Sequence, residues 1–177
     1  MSTDAVPSAW LGCESCYGAG RLVGRWYPVT EIADVTMEDL HGHPTSHDEA
    51  VCMDISDLPI DGEPSQQQAA AWGEIYDEVG PEQWPALCAW VRSGSCITEG
   101  HTDIPSVGSF EEAYAGNWDS FCDYAFQLAE DIDLFDGLPE DHVAVRYFDW
   151  DAWIRDLEID HSVERDDNGG CFVFRSL

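Results

Sequence analysis

The sequence predicts an α+β fold in two to three small subdomains. These are an N-terminal antiparallel sheet, a central helical part and a C-terminal α+β part. Three observations carry the prediction. Short apolar runs broken by glycine fill the first sixty residues, capped helical periodicity fills the middle, and helix and hairpin signals alternate over the last seventy. Hydrophobic residues make up 44% of the 177 and aromatics 12%, which is enough apolar surface to support a fold despite the charge. The expected boundaries are 1–61, 62–103 and 104–177.

Ala9–Cys13 and Leu22–Tyr27 read as strands of a bent hairpin, separated by Gly18, Gly20 and Gly24. Thr30 is placed to cap a short helix over Glu31–Leu40, and 41–47 is a loop by its Gly, Pro and Ser content. Ala50–Ile55 is a third strand, closed by Pro59. Ser65 with Gln68 forms a capping box for a helix over Gln66–Val79 that stops at Gly80-Pro81. A second helix over Glu82–Ser93 carries Trp84, Leu87, Cys88 and Val91 at helical spacing, with Pro85 tolerated in its first turn. Ser109 and Glu112 suggest another capping box, for a short helix through Ala115. Gly116 interrupts, and Asn117 is placed to cap a helix over Trp118–Asp131. That helix would put Trp118, Phe121, Cys122, Ala125, Leu128, Ala129 and Ile132 on one face, with Asp119, Asp123 and Glu130 on another. Val143–Phe148 reads as a strand and Asp149 as the cap of a helix through Leu157. Ser162–Arg165 and Cys171–Arg175 form a hairpin around Asp166-Asp-Asn-Gly-Gly170.

Charge is the dominant signal. Thirty-six Asp and Glu face seven basic residues, all Arg, for a net charge of −29. A small domain needs a magnitude of only about 2–8 for solubility, and the excess destabilises the compact state by self-repulsion. The net charge runs −8, −7 and −14 over residues 1–60, 61–103 and 104–177, so it belongs to folded elements and not to a tail. Phosphate binding by the chain itself is excluded, because no basic patch exists and the field would repel a polyanion. A protein whose groove grips DNA would instead be attracted. Carboxylates one helical turn apart lie about 5–6 Å from one another, so successive turns of several helices approach the charge density of a duplex, one charge per ~1.7 Å. The candidate partner-binding carboxylates are Glu74, Asp77, Glu78, Glu82, Glu111, Glu112, Asp119, Asp123, Glu130, Asp131, Asp133, Asp136, Glu140 and Asp141.

Other chemistry is thinly represented. Glycine-rich phosphate loops, GxSxG and HExxH are absent, and with so many acids a carboxylate pair carries no catalytic information. The chain is read as a non-enzyme without cofactor. Cys13-Glu-Ser-Cys16 with His41, His43, His47 and Cys52 invites a zinc hypothesis. With one CxxC and no second cysteine pair, these residues read instead as a surface loop beside strand cysteines, and no metal site is assigned. Seven cysteines, no targeting signal and no apolar run of about 18 residues lead to the expectation of reduced thiols and a soluble cytoplasmic protein.

Several stretches resemble one family. Trp10-Leu-Gly-Cys-Glu-Ser-Cys-Tyr-Gly-Ala-Gly-Arg-Leu-Val-Gly-Arg-Trp26 resembles the opening strand, Tyr-containing turn and Gly-Arg-Trp of the ArdA antirestriction proteins. Phe110-Glu-Glu-Ala-Tyr-Ala-Gly-Asn-Trp118 is similar to that family's aromatic and glycine step into an acidic helix. Tyr147-Phe-Asp-Trp-Asp-Ala-Trp-Ile-Arg-Asp-Leu157 resembles its C-terminal helix, and Phe172-Val-Phe-Arg175 its final strand. The resemblance implies an elongated homodimer, each protomer three small subdomains in line, whose acids imitate B-form DNA. It would occupy the DNA-binding groove of type I restriction–modification enzymes and protect mobile-element DNA. Phe110, Tyr114 and Trp118 are the dimer-interface candidates, with burial inside the protomer core as the competing reading. The His-rich loop and seven cysteines depart from the family's pattern, so a metal or redox role for them stays open. The alternative function is an acidic binding protein or chaperone for histone-like or other basic proteins, and a salt-adapted housekeeping protein ranks third.

Overall fold

The computed structural model describes residues 6–100 and 103–177, and it is α+β with an antiparallel sheet near each end of the chain. β1 (Ser8–Cys13) is the middle strand of the first sheet, paired with β2 (Gly24–Pro28) on one side and β3 (Ala50–Ser56) on the other. Ala9, Leu11 and Cys13 of β1 are fully buried, as expected for a central strand with one face on the core. A five-residue helix, α1 (Glu14–Gly18), separates the first two strands where only a bent turn was expected. The helix predicted over Glu31–Leu40 is two pieces: a 3₁₀ turn at Ile32–Asp34 and α2 (Met37–His41). Thr36 caps α2 instead of Thr30, and its side chain and Asp39 satisfy each other's backbone N–H groups. The hydrogen bonds from Thr36 hold the Asp39 carboxyl below the usual carboxylate range.

The central helices follow the sequence closely. α3 (Gln66–Val79) carries the predicted capping box, with Ser65 N–H donating to Gln68 Oε1 at 2.9 Å and Gln68 N–H donating to Ser65 Oγ at 3.1 Å. Ala69, Trp72, Gly73 and Ile75 turn inward. Gln66 Nε2 donates to the carbonyls of Ile32 and Val35, tying the helix to the 3₁₀ turn. α4 (Trp84–Ser93) starts with Pro85 in its first turn and ends at a left-handed Gly94. Trp84 Nε1 donates to the Asp57 carbonyl at 3.0 Å, so this buried indole keeps a partner.

The C-terminal part departs from the sequence reading in three places. α5 (Val107–Ala113) is capped by Ser106, not Ser109. The chain then forms a strand, β4 (Tyr114–Trp118), where a helix end and a helix start were expected. Gly116 sits at φ 109, beside a register shift against β6, so this glycine makes a bulge in a strand instead of ending a helix. α6 (Phe121–Asp131) is accordingly shorter than predicted and is capped by Ser120, while Asn117 donates to Asp166 at 2.6 Å. Cys122 and Ile132, expected on the apolar face, are exposed. The predicted strand at Val143–Phe148 is α7 (Val143–Arg146), a single turn whose first N–H groups His142 helps to satisfy. Its valines favour a strand, but the second sheet has no position for it. The order is β4–β6–β5, with β5 (His161–Arg165) and β6 (Cys171–Arg175) forming the predicted hairpin. α8 (Trp150–Glu158) is capped by Asp149 as expected.

β6 joins two apolar clusters. Phe172 and Phe174 face one that runs through Phe110, Trp90, Leu87 and Trp72 back to Leu11, drawing on residues from the first sheet, the central helices and the second sheet. Cys171 and Val173 face the other, with Phe121 and Tyr124 of α6, and Ile154 and Leu157 of α8 packed against it. Each fully buried large side chain here contributes about 1.5–3 kcal/mol. Neither α7 nor α8 contains a buried residue. Their segment is held by edge-to-face rings, with Phe126–Trp150 centroids at 4.9 Å, Phe148–Trp150 at 5.0 Å and Phe135–Phe148 at 5.1 Å. Among the described residues, no helix is long and apolar enough to cross a membrane.

Candidate functional site

The fourteen candidate carboxylates all stand on the surface. Glu74, Asp77 and Glu78 occupy the outer side of α3, opposite its buried Trp72 and Ile75. Glu82 follows in the turn before α4, and Glu111 and Glu112 lie on the exposed side of α5, whose Phe110 and Ala113 are buried. Asp119 sits between β4 and α6. Asp123, Glu130 and Asp131 are on α6, while Asp133, Asp136, Glu140 and Asp141 occupy the turns leading to α7. Six carboxylates thus fall within residues 130–141. The helical periodicity that buries Tyr124, Ala125 and Ala129 leaves the acids of α6 outward.

Two of these acids also have local structural work. Asp123 accepts the Ser120 hydroxyl at 2.5 Å while its own N–H donates to Ser120 Oγ, closing the start of α6. A carboxylate there also favours the positive end of the helix dipole. Asp131 accepts from Gln127 Nε2 at 2.9 Å. Crowding of like charge is visible at Glu49, where a shared hydrogen bond with Glu14 and that residue's charge push the carboxyl above its ordinary value. Among the Arg residues, Arg155 approaches Asp156 at 3.9 Å with both side chains exposed, a contact that contributes little in water.

One acid differs from the rest, and sequence reasoning did not single it out. Asp166 is 6% exposed. One of its oxygens takes the Asn117 amide and the other takes the Asn168 N–H at 2.9 Å, so it locks the β5–β6 turn to β4. Its signal was the Asp-Asp-Asn-Gly-Gly turn, but the partner Asn117 lies far away in sequence.

The interface candidates are placed unevenly. Phe110 is 0% exposed and packs against Trp90, Tyr114 and Phe174, so its ring offers no surface to a second copy. Tyr114 and Trp118 are half-buried at the two ends of β4, an edge strand. Tyr114 stacks on Phe110 at 5.3 Å, and Trp118 Nε1 donates to the Ala115 carbonyl.

The cysteines are free thiols: Cys13, Cys16, Cys52, Cys88 and Cys171 are buried, Cys96 is half-buried and Cys122 exposed. Burial pushes the Cys52 thiol up to about 11 and Cys88 to about 12, so neither is a nucleophile at neutral pH. The Cys13–Cys16 pair meets the histidine loop. Cys13 Sγ lies 3.2 Å and Cys16 Sγ 3.6 Å from His47 Nδ1, and the His41 ring stands edge-on to His47 at 5.2 Å. Cys52 and His43, which the sequence grouped with them, are not part of this cluster.

Fold and surface thus define an α+β protein that carries these fourteen acids outward on successive elements, over apolar clusters rich in aromatic residues. The family model described as "Antirestriction protein (ArdA)" matches residues 9–171. The chain belongs to the ArdA antirestriction family. A comparison with curated proteins found no match.

Proposed function

We propose that this protein blocks restriction by mimicking B-form DNA, occupying the DNA-binding groove of a type I restriction–modification enzyme and so protecting mobile-element DNA. The observation that carries the reading is the outward placement of all fourteen carboxylates along α3, the turn before α4, α5, the step from β4 into α6, α6 itself and the turns after it. A groove that binds duplex by replacing counterions along a polyanion meets a comparable row of fixed negative charge here. Family membership supports antirestriction as the biological outcome. The protein acts by occupancy and not by turnover, with no cofactor, and its working place is the cytoplasm, where restriction enzymes meet incoming DNA.

The test is competition. Inhibition of a type I enzyme should be relieved by added duplex DNA and should weaken steeply with salt, as phosphate contacts do. Failure of saturating duplex to displace the protein would sink groove occupancy. Binding of isolated basic proteins with equal strength would favour a chaperone for histone-like partners.

The active form is a homodimer that extends the acidic surface across a two-fold seam, the commonest homo-oligomer symmetry. The seam draws on the β4 edge, because acids repel across an interface and an edge strand offers unpaired backbone groups. Sedimentation at physiological salt should show an elongated dimer, and a compact monomer at every concentration would remove this assembly while leaving mimicry intact.

A further inference from the structure

We propose that Cys13, Cys16, His41 and His47 form a structural zinc site that pins the histidine loop to the first sheet. Cys13 ends β1, Cys16 lies within α1, His41 ends α2, and His47 precedes β3. Each offers one ligand atom, and the four atoms lie within 4.8 Å of one another. Both cysteines are buried and both histidines half-buried.

The distances match a tetrahedral centre. With Zn–S of about 2.3 Å and Zn–N of about 2.0–2.1 Å, ligand sulfur and nitrogen stand about 3.6 Å apart. The two sulfur–nitrogen separations are 3.2 and 3.6 Å. Both sulfurs converge on the same His47 Nδ1, which as a neutral ring nitrogen can donate or accept only one proton. A hydrogen-bonded pair accounts for one of those contacts, whereas a cation between the groups accounts for both. His41 supplies a second observation: its Nε2 is buried with no hydrogen-bond partner. An orphaned buried ring nitrogen on a residue of this cluster costs free energy that a bound cation would remove.

The chemistry selects the metal. Two thiolates and two imidazoles suit Zn²⁺ and not a hard cation. Binding releases the two thiol protons to solvent, leaving a site of zero net charge, and Arg21 Nη2 lies 3.7 Å from Cys16 Sγ as an outer donor to that sulfur. Four protein ligands leave no open position, so the site is structural and not catalytic. The spacing also fits, with Cys-x₂-Cys followed by two histidines with five residues between them. This inference is independent of DNA mimicry and is tested without any restriction enzyme.

The chain is prepared reduced from zinc-supplemented cells, and its metal is measured by native and plasma mass spectrometry. One zinc per chain is expected, and Co²⁺ in its place should give the visible absorption of a tetrahedral thiolate centre. Zinc affinity, read against a chromophoric chelator, should fall by more than about 100-fold in Cys16→Ser and His47→Ala, beyond the usual cost of losing an outer partner. His43→Ala should leave it unchanged. Circular dichroism checks that each variant is folded, and if Cys16→Ser is not, His41→Ala at the end of α2 carries the test. Wild-type chain with free thiols and no zinc, histidine variants with wild-type affinity, or a Cys13–Cys16 disulfide as the resident form under reducing conditions would each overturn the proposal.

Discussion

Neutralising Asp119, Asp123, Glu130, Asp131, Asp133 and Asp136 together should weaken inhibition of a type I restriction enzyme on the order of 100-fold. Each exposed charge contributes about 0.2–1 kcal/mol to a contact in water, so six at about 0.5 kcal/mol sum to about 3 kcal/mol. Single changes should shift inhibition by less than about fivefold. Asp133→Asn is the cleanest single change, because this residue holds a left-handed φ of 50° that asparagine also tolerates. Asp123 should be changed only to Asn in the combined variant, since it also closes the start of α6. The inhibition constants of one-, two-, four- and six-fold variants check the progression, with circular dichroism as the folding control. One carboxylate whose loss alone abolishes activity in a folded protein would contradict a distributed charge surface.

Gly73→Ala should destabilise the protein by about 3 kcal/mol, at the upper end of ordinary overpacking. Exposed helical glycine normally gains up to about 1 kcal/mol from this change. Here a Cβ would stand 2.4 Å from the Val29 carbonyl oxygen and 2.8 Å from the Thr30 nitrogen, both backbone atoms that no rotamer change can move. The glycine is what lets α3 approach the chain leaving β2. Gly108→Ala in α5 is the matched control, because nothing lies within 4 Å of its added methyl. It should stabilise by about 0.4–1 kcal/mol. Urea unfolding of the two variants decides the matter, and equal effects would mean that α3 does not pack as described.

Most of the fold was legible where local signals and tertiary demands agree. Ser65, Gln68 and Gly80 fixed both ends of α3, and the hairpin at 162–175 announced itself through its turn. The failures share a cause. Ser109 and Asn117 each had the right chemistry for a cap, but Ser106 and Ser120 took those positions because β4 had to reach β6. Tyr114-Ala-Gly-Asn-Trp118 is too short for its period to be read, and only its long-range pairing makes it a strand. Val143–Arg146 fails in the opposite sense, having strand composition and no strand partner. The acids were legible as exposed because helical periodicity sets their side. The sequence grouped Cys13 and Cys16 with His41, His43, His47 and Cys52 and then set the group aside, because which of the six meet depends on where a loop returns over the first sheet.

The ring-edge packing around Trp150 sets how the acidic turns respond to force. Sheet β4–β6–β5 is buried on both faces at β6, so opening it exposes two clusters at once. The stretch from Ile132 to Trp150, ahead of the α8 residues that pack on the second cluster, is fastened by a few aromatic edges, each contributing about 0.5–1.5 kcal/mol beyond area burial. Local opening there costs far less than global unfolding. The acidic turns after α6 are therefore mounted on a compliant bracket beside a stiff plate.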